Sequence, residues 1–181
     1  MAAYVAGDER AFERLFVRLA PRVHGFFMQS FREPATADDL LQRTFLKLHG
    51  ARASYRPGAP LRPWLFTIAA RVRLDELRSR LHLPDSCDEE TLARAAEERG
   101  EPARPDGEHA DLVARVRAAV DALPEAQRVV VHLHRYEGMS FGEIARVLAT
   151  SEGAVKQRAF RAYARLRESL ASLAGGAKEV A

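Results

Sequence analysis

The chain has 181 residues, 47% of them hydrophobic, enough for one ordinary core or two small ones. Its net charge is +3, and its 28 basic residues are three lysines (Lys47, Lys156, Lys178) and 25 arginines, a bias that fits both forked contacts to phosphate or guanine and a GC-rich coding sequence. One cysteine, Cys87, excludes an internal disulfide, and no basic start with an apolar run or membrane-length stretch appears, so a cytoplasmic protein without membrane insertion is expected.

Charge divides the sequence into three. Residues 1–80 carry a net +6, residues 81–110 a net −6, and residues 111–181 a net +3. In the first segment Phe12, Leu15, Phe16, Leu19, Val23, Phe26 and Phe27 follow the three-and-four spacing of one buried helical stripe. Thr36 is expected to start a second helix, with Asp38 and Asp39 in its first turn and Leu40, Leu41, Phe45 and Leu48 buried. Pro57, Gly58 and Pro60 interrupt helix between Arg52 and Arg62. A third helix is expected from about Pro63 to Arg80, with Trp64, Leu65, Ile68, Val72 and Leu77 apolar.

The middle segment holds Pro84, Pro102, Pro105, Gly100 and Gly107, with room for a short helix over Thr91–Arg99. It reads as a flexible acidic linker. A helix over Asp111–Leu123 then ends before Pro124, which suits the first turn of the next helix, to about Tyr136. Glu137-Gly138-Met139 makes a turn. Ser140 and Glu143 form a capping box for a helix with Ile144, Val147 and Leu148 inward. Ala149-Thr150 turns the chain, and Ser151 caps a last helix of about Glu152–Leu173.

That helix carries Lys156, Arg158, Arg161, Arg165 and Arg167, with Ala154, Val155, Ala159, Ala162 and Leu166 facing inward. Two helices joined by a tight turn, the second basic outside and small inside, is the arrangement that lays a recognition helix in the major groove. The alternative is a solvated basic helix of a plain bundle. No alternating strand pattern appears. The expected fold is all-α: two small helical domains (1–80 and 111–174) joined by a flexible acidic linker (81–110), the C-terminal one a helix-turn-helix, with a tail over 175–181. The six histidines offer no ligand-like cluster, since His132 and His134 point to different sides of a helix. No cofactor, metal or catalytic constellation is expected.

Leu123-Pro124…Gln127-Arg128, Glu137-Gly138-Met139-Ser140…Glu143-Ile144-Ala145 and Ser151-Glu152-Gly153-Ala154-Val155-Lys156…Arg158…Arg161-Ala162 resemble the DNA-binding domain of the extracytoplasmic-function sigma factors. Gly7-Asp8…Ala11-Phe12, Ala37-Asp38-Asp39-Leu40-Leu41-Gln42…Thr44-Phe45 and Trp64-Leu65…Ile68-Ala69…Asp75…Leu77-Arg78 resemble that family's N-terminal domain. The resemblance implies a non-enzymatic subunit that docks on core RNA polymerase (the clamp of the largest subunit, the flap of the second) and reads promoter DNA. An anti-sigma factor is a candidate further partner.

Carried over by position, Asp38, Asp39 and Gln42 face the polymerase clamp, unless the two aspartates only favour the helix start. Tyr55, Arg56, Trp64, Arg71 and Arg73 serve the −10 element. Within that set Tyr55 is either part of a cradle for a flipped base or a partly exposed loop aromatic, and Trp64 is mostly core. His134, Ser151, Lys156, Gln157, Arg158, Phe160, Arg161 and Arg165 serve the −35 element, with Phe160 open to a core role instead. Arg71 stands where the family often has Asn, His134 where Arg is frequent, and Ala149 where Gly is common. A stand-alone helix-turn-helix regulator would explain only the last 70 residues or so.

Overall fold

A computed structural model describes residues 1–84, Thr91 and 112–175. Most of the expected acidic linker (85–90 with Cys87, and 92–110), the short helix expected after Thr91, and the tail from residue 176 lie outside the described residues, and Leu81, expected in the linker, is the last residue of a helix of the first half. Among those described, every regular element is helical.

Helix α1 (Ala2–Val5) is tied to the next hairpin by Tyr4, whose hydroxyl bonds His49. Asp8 caps α2 (Glu9–Phe31) by accepting from the Ala11 amide at 3.2 Å. The expected stripe buries Leu19, Val23, Phe26 and Phe27, but Phe16 remains 38% exposed. Phe16 packs edge-on against Phe45 at 4.8 Å and turns its other side to solvent.

Helix α3 (Pro34–Gly50) starts two residues before the expected Thr36. Pro34 forces Glu33 into extended backbone (φ −116°) and takes the first helical position itself. Thr36 therefore sits inside the helix and donates to the Glu33 carboxylate at 2.6 Å. Asp38 and Asp39 fall in the second turn, where the helix dipole acts on them less. A 3₁₀ turn (Arg52–Ser54) leads through the proline loop to α4 (Leu61–Leu81), which closes on His82 in the left-handed region (φ 54°).

Helices α5 (Leu112–Asp121), α6 (Glu125–Arg135), α7 (Phe141–Val147) and α8 (Glu152–Gly175) form the second half. Both members of the capping box are present: the Glu143 amide donates to Ser140 Oγ at 3.3 Å, and the Ser140 amide to Glu143 Oε2 at 2.8 Å. These bonds hold the Glu143 carboxyl below the usual carboxylate range. Ser151 caps α8 through the Ala154 amide at 3.1 Å. The helix-turn-helix and the all-α class expected from sequence are both observed.

The two halves are packed on each other. Helix α2 lies along α6, and α4 along α7. One apolar core runs through both, with Val23, Phe26, Phe27, Leu65, Phe66 and Ala69 from the first half meeting Val129, Val130, Leu133, Ile144 and Leu148 from the second. Burying that surface holds the molecule together.

Ala149 in the helix-turn-helix turn has φ +52°. A side chain there costs about 1–2 kcal/mol, part of which glycine returns as unfolded-chain entropy. Ala149→Gly is expected to stabilise the protein by about 0.5–1 kcal/mol, read as a higher urea midpoint at unchanged slope. An unchanged or lower midpoint would mean the turn is unstrained.

Candidate nucleic-acid interface

Spacing along α8 separates an inner from an outer face. Val155, Ala159 and Ala162 are buried, while Lys156, Gln157, Phe160, Arg161 and Arg165 are exposed, with Ser151 exposed at the helix start. Phe160 is 77% exposed, so it is not part of the core. An aromatic ring among cations on an open helix face suits apolar contact with a base edge. Lys156 pairs with Glu152 at 2.7 Å on the surface, a bond too solvated to hold it in place. Arg158 departs from the outward position expected of it. It is half-buried, because it lies four residues from both Ala154 and Ala162 on the inward edge.

His134 also turns inward. Its ring stacks on Phe141 at 4.6 Å and its Nδ1 lies 2.9 Å from the Met139 carbonyl, so it braces the turn between α6 and α7.

On the first half, Asp38, Asp39 and Gln42 are all exposed along α3. Asp38 lies 3.4 Å from His24, and Asp39 pairs with Arg43 at 2.8 Å. Leu46 continues the line of Asp39 and Gln42 and is 72% exposed, and Val17 of α2 is likewise open. The sequence reading did not single out these two apolar residues. Their signal was phase: Leu46 falls outside the inward spacing of Phe45 and Leu48. Leu46 thus sets a large apolar side chain beside Asp39 and Gln42 on an open helix face.

Around α4 the expected set divides. Arg56 and Arg71 are exposed. Tyr55 is only 7% exposed, set edge-on to the half-buried Trp64 at 5.1 Å, with its hydroxyl donating to the Ala59 carbonyl. It pins the proline loop from within, and of the two readings given to it neither the exposed loop aromatic nor an open base cradle describes this position. Arg73 was expected to reach outward beside Arg71. Two residues apart on a helix diverge widely, and Arg73 shares the inward face of Ala69 and Leu77. It is 1% exposed, and its Nη1 donates to Glu125 of α6 at 2.5 Å.

That bond belongs to a polar seam between the halves. Ser30 donates to Glu125 as well, and Arg128 Nε donates to the Gln29 carbonyl at 2.9 Å. Burial pushes the Arg128 guanidinium down to about 10, so it stays charged. Arg22 Nε reaches both Glu137 oxygens at 3.0 and 3.2 Å, and its Nη2 donates to the Tyr136 carbonyl at 3.0 Å. Arg62 Nη1 donates to the Glu137 carbonyl at 2.7 Å.

Between these bonds sits His132, buried against Phe26 and stacked with Tyr136. Burial, then the Arg22 charge, pushes its imidazole down to about 4. Glu137 lies 3.9 Å from its Nε2, too far for a hydrogen bond. At neutral pH this is a neutral ring beside a carboxylate that Arg22 already satisfies, not an ion pair. Among the described residues no group of His, Cys, Asp and Glu is arranged to hold a metal, and no helix is long and apolar enough to cross a membrane.

Residues 15–81 match the family model described as sigma-70 region 2, and residues 114–166 the one described as sigma-70, region 4. The chain is 40% identical over 173 residues to the RNA polymerase sigma factor CarQ of Myxococcus xanthus, covering 96% of this chain and 97% of that one. It is 33% identical over 176 residues to the ECF RNA polymerase sigma factor SigM of Mycobacterium tuberculosis, covering 97% and 85%. Among solved structures it is similar to CnrH in complex with the cytosolic domain of CnrY (TM-score 0.62, 27% identity, 94% of each chain). The fold is also that of the sigma factor RpoE of Bartonella quintana, crystallised with the anti-sigma factor NepR (TM-score 0.65, 22% identity, 89% and 97%).

His132 makes stability depend on pH. The unfolded chain takes up its proton near pH 6.5, whereas the folded chain does so only near pH 4. Its contribution is complete above pH 6.5, is lost as pH falls through that window, and levels off below it. Between pH 7 and pH 5 the expected loss is about 2 kcal/mol by urea unfolding. His132→Leu is expected to remove that share of the slope, and a slope retained in full would place it on other groups.

Proposed function

We propose a division of labour between the two halves of this chain, which belongs to the extracytoplasmic-function subfamily of the sigma-70 family of RNA polymerase sigma factors. Such a protein promotes transcription initiation by binding core polymerase and recognising the −35 and −10 promoter elements. In this reading residues 1–80 dock on the polymerase clamp and capture the melted −10 strand. Residues 111–174 grip the −35 duplex and meet the polymerase flap, and residues 81–110 link the two units.

The observation that carries the assignment is that two separate motif blocks occur in order in one chain, each bearing an exposed face of the matching chemistry. On α3 the face is Asp38, Asp39 and Gln42, extended by Leu46. The acids suit a basic partner helix and the leucine supplies apolar contact. On α8 it is Ser151, Lys156, Gln157, Phe160, Arg161 and Arg165. In this reading Arg161 forks onto a guanine and Arg165 meets phosphate, both being exposed on α8. Arg71 and Arg56 are the open cations of the −10 face, and Trp64 anchors the loop beside them.

The mechanism involves no bond chemistry. Two modest DNA contacts on one linked chain act together, and binding the open strand better than the duplex draws the promoter toward melting. The protein works in the cytoplasm in this reading. An anti-sigma factor, of the kind RpoE is crystallised with, is proposed as a further partner.

Asp39→Arg reverses the charge of the clamp face at an exposed site. The wild-type protein is expected to co-migrate one-to-one with sigma-free core polymerase on size exclusion, and the variant to elute alone. A wild-type protein that elutes alone while binding a palindromic duplex would replace this reading with a stand-alone regulator. Arg161→Ala is expected to cost about 1–3 kcal/mol in binding a −35 duplex at fixed salt, concentrated at one base position. A uniform loss across sequences would make Arg161 a phosphate contact instead.

A further inference from the structure

Gly153 is a glycine that the fold does not require. Gly7, Gly58 and Gly138 have positive φ, where a side chain is strained. Gly142 of α7 makes room for a neighbour, since a Cβ there would lie 3.2 Å from Glu152 Oε2. Neither reason applies to Gly153. It lies within α8 with helical backbone. Beyond its chain neighbours and the helix's own backbone, a Cβ on it would meet only Ser151 Oγ, at 3.9 Å, an ordinary contact. Glycine at such a position weakens a helix relative to alanine.

Its place on α8 supplies the reason that the packing does not. Lys156, Gln157 and Phe160 follow Gly153 by three, four and seven residues, so all four share one face, and all four are exposed. Along that line the helix shows a cation, an amide and an aromatic ring, preceded by bare backbone in the first turn. Missing side chains on a contact face allow the main chain to come close to what it touches.

We propose that Gly153 is a specificity-determining residue by virtue of the side chain it lacks: the duplex lies against the bare first turn of α8, and this close seat brings Lys156, Gln157 and Phe160 to the base edges. This rests on the reading of α8 as the −35 recognition helix. The first turn of such a helix is the part that meets base edges in the major groove. A methyl group at Gly153 holds the helix off the groove. Side-chain hydrogen bonds to bases are lost within a few tenths of an ångström, beyond about 3.5 Å. Attraction between the arginines of α8 and phosphate falls off far more slowly with distance. The glycine therefore acts on discrimination between sequences and hardly on overall attraction.

The test uses the full chain bound to core polymerase. The probe is a promoter duplex that the wild-type holoenzyme enriches from a pool randomised in the upstream block, compared with the same duplex scrambled in that block. Gly153→Ala is expected to lower the affinity ratio of the two duplexes by about tenfold, with binding to the scrambled one and its salt slope nearly unchanged. Gly153→Leu, also a good helix former, is expected to lower the ratio further. The urea midpoint of the free Gly153→Ala protein is expected to rise, because alanine fits the helical backbone and restricts the unfolded chain.

A ratio that Gly153→Ala leaves intact overturns the proposal and spares the −35 reading, as does a loss shared equally by both duplexes. A urea midpoint that falls gives the glycine a part in the fold and overturns the proposal as well. If the wild-type holoenzyme enriches no upstream sequence at all, the −35 reading fails and the proposal with it.

Discussion

Arg73 and Glu125 meet across the two halves with almost no exposure to solvent, and the register of the second half on the first depends on that meeting. Taking both charges out of water costs several kcal/mol each, and their attraction in a low-dielectric interior roughly repays it. Such a pair adds little net stability. It adds register, because a shift of α6 over the first half draws the Glu125 carboxylate away from Arg73. Ser30 completes the carboxylate's shell, so α2 is fixed to the same point. Burial of Phe26, Phe66, Val129 and Leu133 supplies the cohesion around it, and that term is tolerant of small shifts. Cohesion is apolar and position is ionic.

The seam is also incompletely satisfied. His132 Nε2 is buried there without a hydrogen-bond partner. Such an atom costs about 1–3 kcal/mol relative to water. That cost offsets part of what apolar burial between α2 and α6 contributes.

What was legible in the sequence was local. The capping box of Ser140 and Glu143, the Ser151 cap and the strained Ala149 turn each depend on residues within four positions, and each stands where the spacing put it. Helix α3 was misplaced by two residues because Thr36 looks like a cap, while Pro34 commits the chain earlier. Arg73 shows the limit more plainly. Its position belongs to the inward spacing of Ala69 and Leu77, but an arginine there reads as outward by its chemistry. The carboxylate 52 residues further on reverses that. Tyr55 and His134 were hidden for the same reason, since the Ala59 and Met139 carbonyls that engage them become acceptors only once the turns exist. Leu46 and Phe160 were readable in principle, because an apolar residue out of phase with its helix has no core to enter.

Ionic strength acts unequally on these two sets of charges. The cations of α8 and the acids of α3 are solvated, so salt screens their contacts over about 10 Å at 0.1 M and releases fewer counterions on DNA binding. Arg73, Glu125 and Glu137 are enclosed in protein, where mobile ions do not enter and screening is weak. Adding salt therefore weakens the contacts these exposed groups can make while leaving the Arg73–Glu125 pair nearly unchanged. A seam held only by exposed pairs would loosen together with those outer contacts. Burying this pair separates the responses, so ionic strength acts on the outer faces and leaves the register of the two halves in place.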